Sequence, residues 1–138
     1  MLVAEPVEFL AEFRCFVREG RVVATSPYIS FGRPVWQAWD QGGEKAIPSK
    51  DALALCDRLL ATRSPALPPA LVVDVGLIEG RGWAVVEFNL AWCSGLLGAD
   101  PAAVLGVLER ACQDADTLDS ADVAWVVDRG ESQAGRER

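Results

Sequence analysis

Asp74, Glu87 and Asn89 are the residues of this sequence best suited to hold a metal ion. Two carboxylates and an amide are hard oxygen ligands, suited to Mg²⁺ or Mn²⁺ rather than Zn²⁺. Magnesium keeps several waters and takes one or two carboxylates together with substrate phosphates. Glu87 and Asn89 stand two apart in the run "WAVVEFNLA", and Asp74 lies in "ALVVDVGLIE", with Gly80 and Arg81 between the two runs. A glycine-led two-residue turn predicts a hairpin. Glu79 then faces Gly82, Asp74 faces Glu87, and Val72 faces Asn89. Strand side chains alternate, so Asp74, Glu87 and Asn89 share one face. The other face carries Val73, Val75, Leu77, Ala84, Val86 and Phe88 and is expected to be core. Carboxylates opposite one another repel at a Cβ separation of about 5 Å, and a divalent cation between them removes that cost. The alternative is a solvated face whose acids serve solubility, and a one-residue slip would break the alignment.

The elements that must position these groups follow from pattern. Residues 7–19, "VEFLAEFRCFVRE", alternate. Val7, Phe9, Ala11, Phe13, Cys15 and Val17 face inward, and Glu8, Glu12, Arg14 and Arg18 lie on the other side. Glu19-Gly20 turns the chain into a second strand, "RVVATSPYI", which reaches an edge or ends near Pro27. Residues 31–48 read as a loop packed by Trp36 and Trp39. "PSKDALALCDRLLATRS" reads as a helix capped by Ser49, with Leu53, Leu55, Cys56, Leu59 and Leu60 as its apolar stripe. Asp100 and Pro101 open a second helix as N-cap and first residue. "DVAWVVDR" is either a short last strand or a packed tail. The expectation is an α+β fold: two antiparallel hairpins form one sheet, and two helices cover one of its faces. One domain spans residues 1–128, and 129–138 form a flexible tail.

Composition narrows the function. The chain has 138 residues, about half of them apolar, which suits a single globular domain. It has no histidine, which removes His-containing zinc sites, Ser-His-Asp triads and Cys-His dyads. Its four cysteines form no C-x-x-C pair; Cys15, Cys56 and Cys112 are expected in the core and Cys93 in a loop. The net charge of −7 makes nucleic acid an unexpected partner. No apolar run approaches the ~18 residues that span a bilayer, and the acidic N-terminus is unlike a signal peptide. The expected compartment is the cytoplasm, with no membrane partner.

The ordered set E-x-R (Glu12, Arg14), D-x-G (Asp74, Gly76), G-x-G-W (residues 80–83) and E-x-N (Glu87, Asn89) resembles the C-terminal half of the ATP-grasp superfamily. Over residues 4–112 the chain is most similar to the bacterial clade named for one arginine and two lysines, formerly a domain of unknown function. The resemblance implies ATP held between two α+β subdomains, Mg²⁺ (or Mn²⁺) as metal, and joining of a carboxylate to an amine or thiol through an acylphosphate. Arg14 matches the arginine that meets the ATP phosphates or the acylphosphate, so it is both the catalytic and the nucleotide-binding candidate. Asp74, Glu87 and Asn89 match the metal ligands. Phosphoryl transfer needs charge neutralisation and in-line positioning more than a protein base, so the lack of histidine is no obstacle.

The family's N-terminal half carries the phosphate-contacting lysines and the adenine hinge. This chain starts at Met1, just before the matching strand, and Lys45 and Lys50 do not match those lysines. The expectation is therefore half a clamp, inactive alone. It is half of a split enzyme completed by another chain, a fragment or trimmed relative that no longer catalyses, or an excised piece. Expected partners are nucleotide, a small-molecule or peptide substrate, and either a separate N-terminal half or a second copy. The alternative is a non-catalytic ATP-grasp-like module for binding or assembly.

Overall fold

β1 (Phe9–Arg18) and β2 (Arg21–Ser30) form the first hairpin, and a two-residue β3 (Arg33–Pro34) returns along the end of β2. α1 (Ser49–Ala61) follows, then β4 (Ala70–Ile78), β5 (Gly82–Leu90) and α2 (Pro101–Ala111). These elements belong to a computed structural model that describes residues 5–35, 49–62 and 66–126. All five strands join one antiparallel sheet in the order β3-β2-β1-β4-β5. The fold is thus α+β, one antiparallel sheet with two helices, as the patterns predict. The Trp36–Trp39 loop, Lys45 and the tail expected over 129–138 lie outside the described residues. Among those described, no helix is long and apolar enough to cross a membrane.

The layering differs from expectation, because the helices lie on opposite faces. Phe13, Cys15, Val17, Leu71, Val73 and Val75 point to one side and pack with Ala52 and Cys56 of α1. Phe16 and Val72 point to the other side and pack with Val104 and Val107 of α2. The charged residues of β1 made its even-numbered face look solvated. Phe16, fully buried, gives that face an apolar half, and α2 covers it. α2 begins where expected: the Ala102 amide donates to Asp100 Oδ1 at 3.1 Å, and Pro101 is the first helical residue. Loss of this cap in Asp100→Ala should lower stability by about 1 kcal/mol, read as a shifted urea midpoint with an unchanged slope.

The second hairpin reaches the expected register by a different route. Ile78 pairs with Gly82, so the tip has three residues, Glu79, Gly80 and Arg81. The Arg81 amide donates to the Ile78 carbonyl at 3.1 Å, and Gly80 takes the left-handed third position of that turn (φ 69°), where glycine is free of strain. This tip shifts the pairing by one, and Trp83 and Val85, not Ala84 and Val86, pack against the α1 core. A bulge at Val86 then restores the register, so that Asp74 pairs with Glu87 and Val72 with Asn89. Phe88, expected in the core, is 46% exposed.

A bulge at Leu10 likewise turns Phe9 away from the α1 face and pairs it with Ile78. Its ring lies over Gly76, where any Cβ would run into it. That contact accounts for the glycine of the D-x-G pair. Cys15 and Cys56 are buried as expected, but Cys112 at the end of α2 is exposed, and all four thiols are free. Cys56 sits beside Cys15, and their hydrogen bond together with burial pushes the Cys56 thiol well above its ordinary pKa. The described part of "DVAWVVDR", as far as Val126, is neither a strand nor a packed tail: Val123–Trp125 form a 3-10 turn tethered through the buried Asp122 to Arg110 at 2.5 Å, and Val123, Trp125 and Val126 are exposed.

Candidate functional site

Arg14, Asp74 and Glu87 form a single row across β1, β4 and β5, and Ser26 of β2 extends it on the far side of Arg14. Neighbouring strands are about 4.8 Å apart, so each side chain in the row is within reach of the next. The Arg14 guanidinium donates Nε–H to Asp74 Oδ1 at 3.0 Å and Nη2–H to Oδ2 at 2.7 Å. This two-pronged pairing is the strong geometry for arginine and carboxylate. Asn89, two residues along β5 from Glu87, donates Nδ2–H to Asp74 Oδ2 at 3.3 Å and to Glu87 Oε1 at 2.8 Å. Its amide therefore bridges the two carboxylates.

The chain between β5 and α2 closes over this row. Arg14 Nη1 donates to the Gly95 carbonyl at 3.0 Å, and Ser26 Oγ donates to the Leu97 carbonyl at 2.5 Å. On the other side the Tyr28 ring lies 5.6 Å from the Arg14 guanidinium carbon, a cation–π distance. The Tyr28 hydroxyl donates to Glu12 Oε2 at 2.6 Å. Tyr28 is the unpaired residue of a bulge between Pro27 and Ile29. Burial and the bond to Glu12 push the Tyr28 phenol well above its usual pKa. Asp74 raises the Arg14 pKa, chiefly through its hydrogen bonds, against the opposing effect of burial. Glu12 and Arg14 of the E-x-R pair thus act together: one holds the ring that covers the other.

All four expected site residues come together, but not around an open concavity. Asp74 is 0% exposed and the Arg14 side chain 12%, while Glu87 is exposed and Asn89 is half-buried. Arg14 already neutralises the acid expected to await a cation. A groove of about 380 Å³ lies elsewhere, lined by Leu90, Trp92, Arg110, Cys112, Asp122 and Trp125. Among the described residues no group of three or more His, Cys, Asp or Glu side chains is set to hold a metal. The donor set is instead two carboxylates with one amide between them. It fits a hard cation if the Asn89 amide turns its oxygen inward, since a carboxylate has about four acceptor positions and Asp74 uses three.

The family model R2K_2, an ATP-grasp domain of family 2 in the clade named for one arginine and two lysines, matches residues 1–107. The chain belongs to this family. No curated protein matches it. A solved structure titled C-terminally truncated Cdc123 from Schizosaccharomyces pombe is similar at a TM-score of 0.40 and 21% identity. The likeness covers 68% of this chain and 34% of that one. In this ATP-grasp domain, one residue from each of E-x-R, D-x-G and E-x-N, namely Arg14, Asp74 and Glu87, falls on the one row across β1, β4 and β5, with Asn89 bonded to both carboxylates. Sequence patterns did not point to Ser26, Tyr28 or the Gly95 and Leu97 carbonyls. The carbonyls have no side-chain signature. The aromatic in "SPY", two residues after Ser26, was the available signal for Tyr28.

Proposed function

We propose that this ATP-grasp domain supplies the phosphate and metal side of a nucleotide site, serving ATP-dependent joining of a carboxylate to an amine or related nucleophile. The observation that carries the reading is the Asn89 amide held between the Asp74 and Glu87 carboxylates. That is the position at which Mg²⁺ or Mn²⁺ relieves the repulsion of the two acids. Glu87, exposed, and Asn89, through Oδ1, would be its ligands together with a remaining lone pair of Asp74. The metal supplies neutralisation of phosphate charge when bound. Arg14 uses three of its five N–H groups on Asp74 and Gly95, which leaves two that could meet a phosphate oxygen. An N-terminal ATP-grasp half, in the same assembly, contributes the phosphate-binding lysines and the adenine contacts.

Titration with Mn²⁺ followed by electron paramagnetic resonance tests this reading. Binding should be tighter with ATP present and at least about tenfold weaker in Glu87→Gln, since loss of one ligand contact of about 1.4 kcal/mol is a factor of ten. Glu87 is exposed, so the variant should fold normally. Equal Mn²⁺ affinity in both proteins would remove the metal assignment.

A second reading rests on a different observation. The Arg14–Asp74 pair is closed, paired at both prongs and buried, as in a structural ion pair. That favours a non-catalytic module for binding or assembly, with a second copy of the chain in place of the N-terminal half. Under it, neither Mn²⁺ nor ATP binds at these residues.

A further inference from the structure

We infer that the segment from Ser94 to Gly98 is a latch, which holds Arg14 shut and must swing away before a phosphate can reach it. The inference rests on the proposed phosphate role of Arg14. Two N–H groups of that guanidinium are left over from its bonds to Asp74 and Gly95, yet its side chain is only 12% exposed. The Gly95 carbonyl occupies a third donor at 3.0 Å, for which a phosphate oxygen would compete. A phosphate oxygen is charged and makes the stronger bond, so exchange of acceptors is favourable once the segment is out of the way.

The segment is built to leave. Its two ends are fixed, since Ala91 and Ala99 are buried in the core under α2. Between them Leu96 is 39% exposed, and Leu97 has a left-handed backbone (φ 48°) that a leucine adopts only at a cost. Ser94 anchors the near end, donating Oγ–H to the Leu90 carbonyl at 2.9 Å; beyond it the segment is held to the row by the 2.5 Å bond from Ser26 Oγ to the Leu97 carbonyl and the Arg14 bond to Gly95. Ser26 has a second acceptor within reach, the Pro27 carbonyl of its own strand at 3.3 Å. Opening therefore leaves no buried hydroxyl without a partner. Both donors that grip the latch have another acceptor in the open state, while the backbone strain at Leu97 is released.

Tripolyphosphate is the probe, titrated into the wild-type chain and Ser26→Ala by calorimetry. Binding is located by the Arg14 Nε–H resonance, and amide exchange is followed at Ala99, whose N–H bonds the Leu96 carbonyl at 3.0 Å in the closed segment. Loss of one hydrogen bond that favours the closed state should tighten tripolyphosphate binding about three- to tenfold. Saturation should speed exchange at Ala99 in both proteins. Equal affinity with unchanged Ala99 exchange would overturn the latch and leave the phosphate role of Arg14 standing. No shift of the Arg14 resonance in either protein would overturn both.

Discussion

Asp74→Ala is expected to lose about 3–5 kcal/mol of stability, with the thermal midpoint falling by roughly 10–20 °C for a chain of this size. The Arg14 guanidinium is nearly buried, and Asp74 accepts two of its hydrogen bonds and one from Asn89. Removing the carboxylate strands a charge that water reaches poorly, and that is the costly case for an ion pair. Replacing both partners is a different experiment. In Arg14→Met with Asp74→Leu the buried pair becomes apolar next to Phe16 and Val72, and most of the loss should be recovered, since apolar replacements of buried pairs are often neutral. Denaturant unfolding of the two variants decides between roles. If the double variant is as stable as wild type, the pair is kept for something other than stability. A single variant within about 1 kcal/mol of wild type would mean that water or another group reaches Arg14.

Phe16→Ala should cost a further large amount, about 3–5 kcal/mol. Phe16 is 0% exposed and joins the sheet to Val104 and Val107 of α2. No other large apolar side chain of β1 is buried on that face, so the space it leaves cannot close without moving α2. The expected signature is a lowered urea midpoint together with faster amide exchange along α2. Faster exchange confined to the β1–β2 turn would show that α2 does not depend on this contact.

Strand existence, the first hairpin turn and the start of α2 were readable because each has a local cause: alternation, Glu19-Gly20, and Asp100-Pro101. Asp74 opposite Glu87 was reached from the second hairpin, though through a two-residue turn that the structure replaces with a three-residue tip and a bulge. What escaped were features set by long-range packing. Phe16 looked like one apolar residue on a polar face, because nothing nearby in sequence announces that α2 lands there. The odd-numbered run Trp83, Val85, Glu87, Asn89 held a conflict that alternation alone cannot resolve, as two apolar residues share a parity with two polar ones. Choosing Ala84 and Val86 as core resolved it wrongly; the bulge resolves it by placing the pairs on opposite faces. The pairing of Arg14 with Asp74 was also out of reach, since it needs the β1–β4 register, and no turn joins those strands directly.

The Val86 bulge and the three-residue tip are phase shifts of opposite sense, and they cancel before Glu87. The chain therefore carries its slack on the outer side of the row. The one-residue offset introduced by the tip at residues 79–81 is absorbed at Val86, so Glu87 and Asn89 stay on the side of Asp74. A substitution at the tip would therefore act on the Arg81–Glu5 ion pair there, with the carboxylate row left in step.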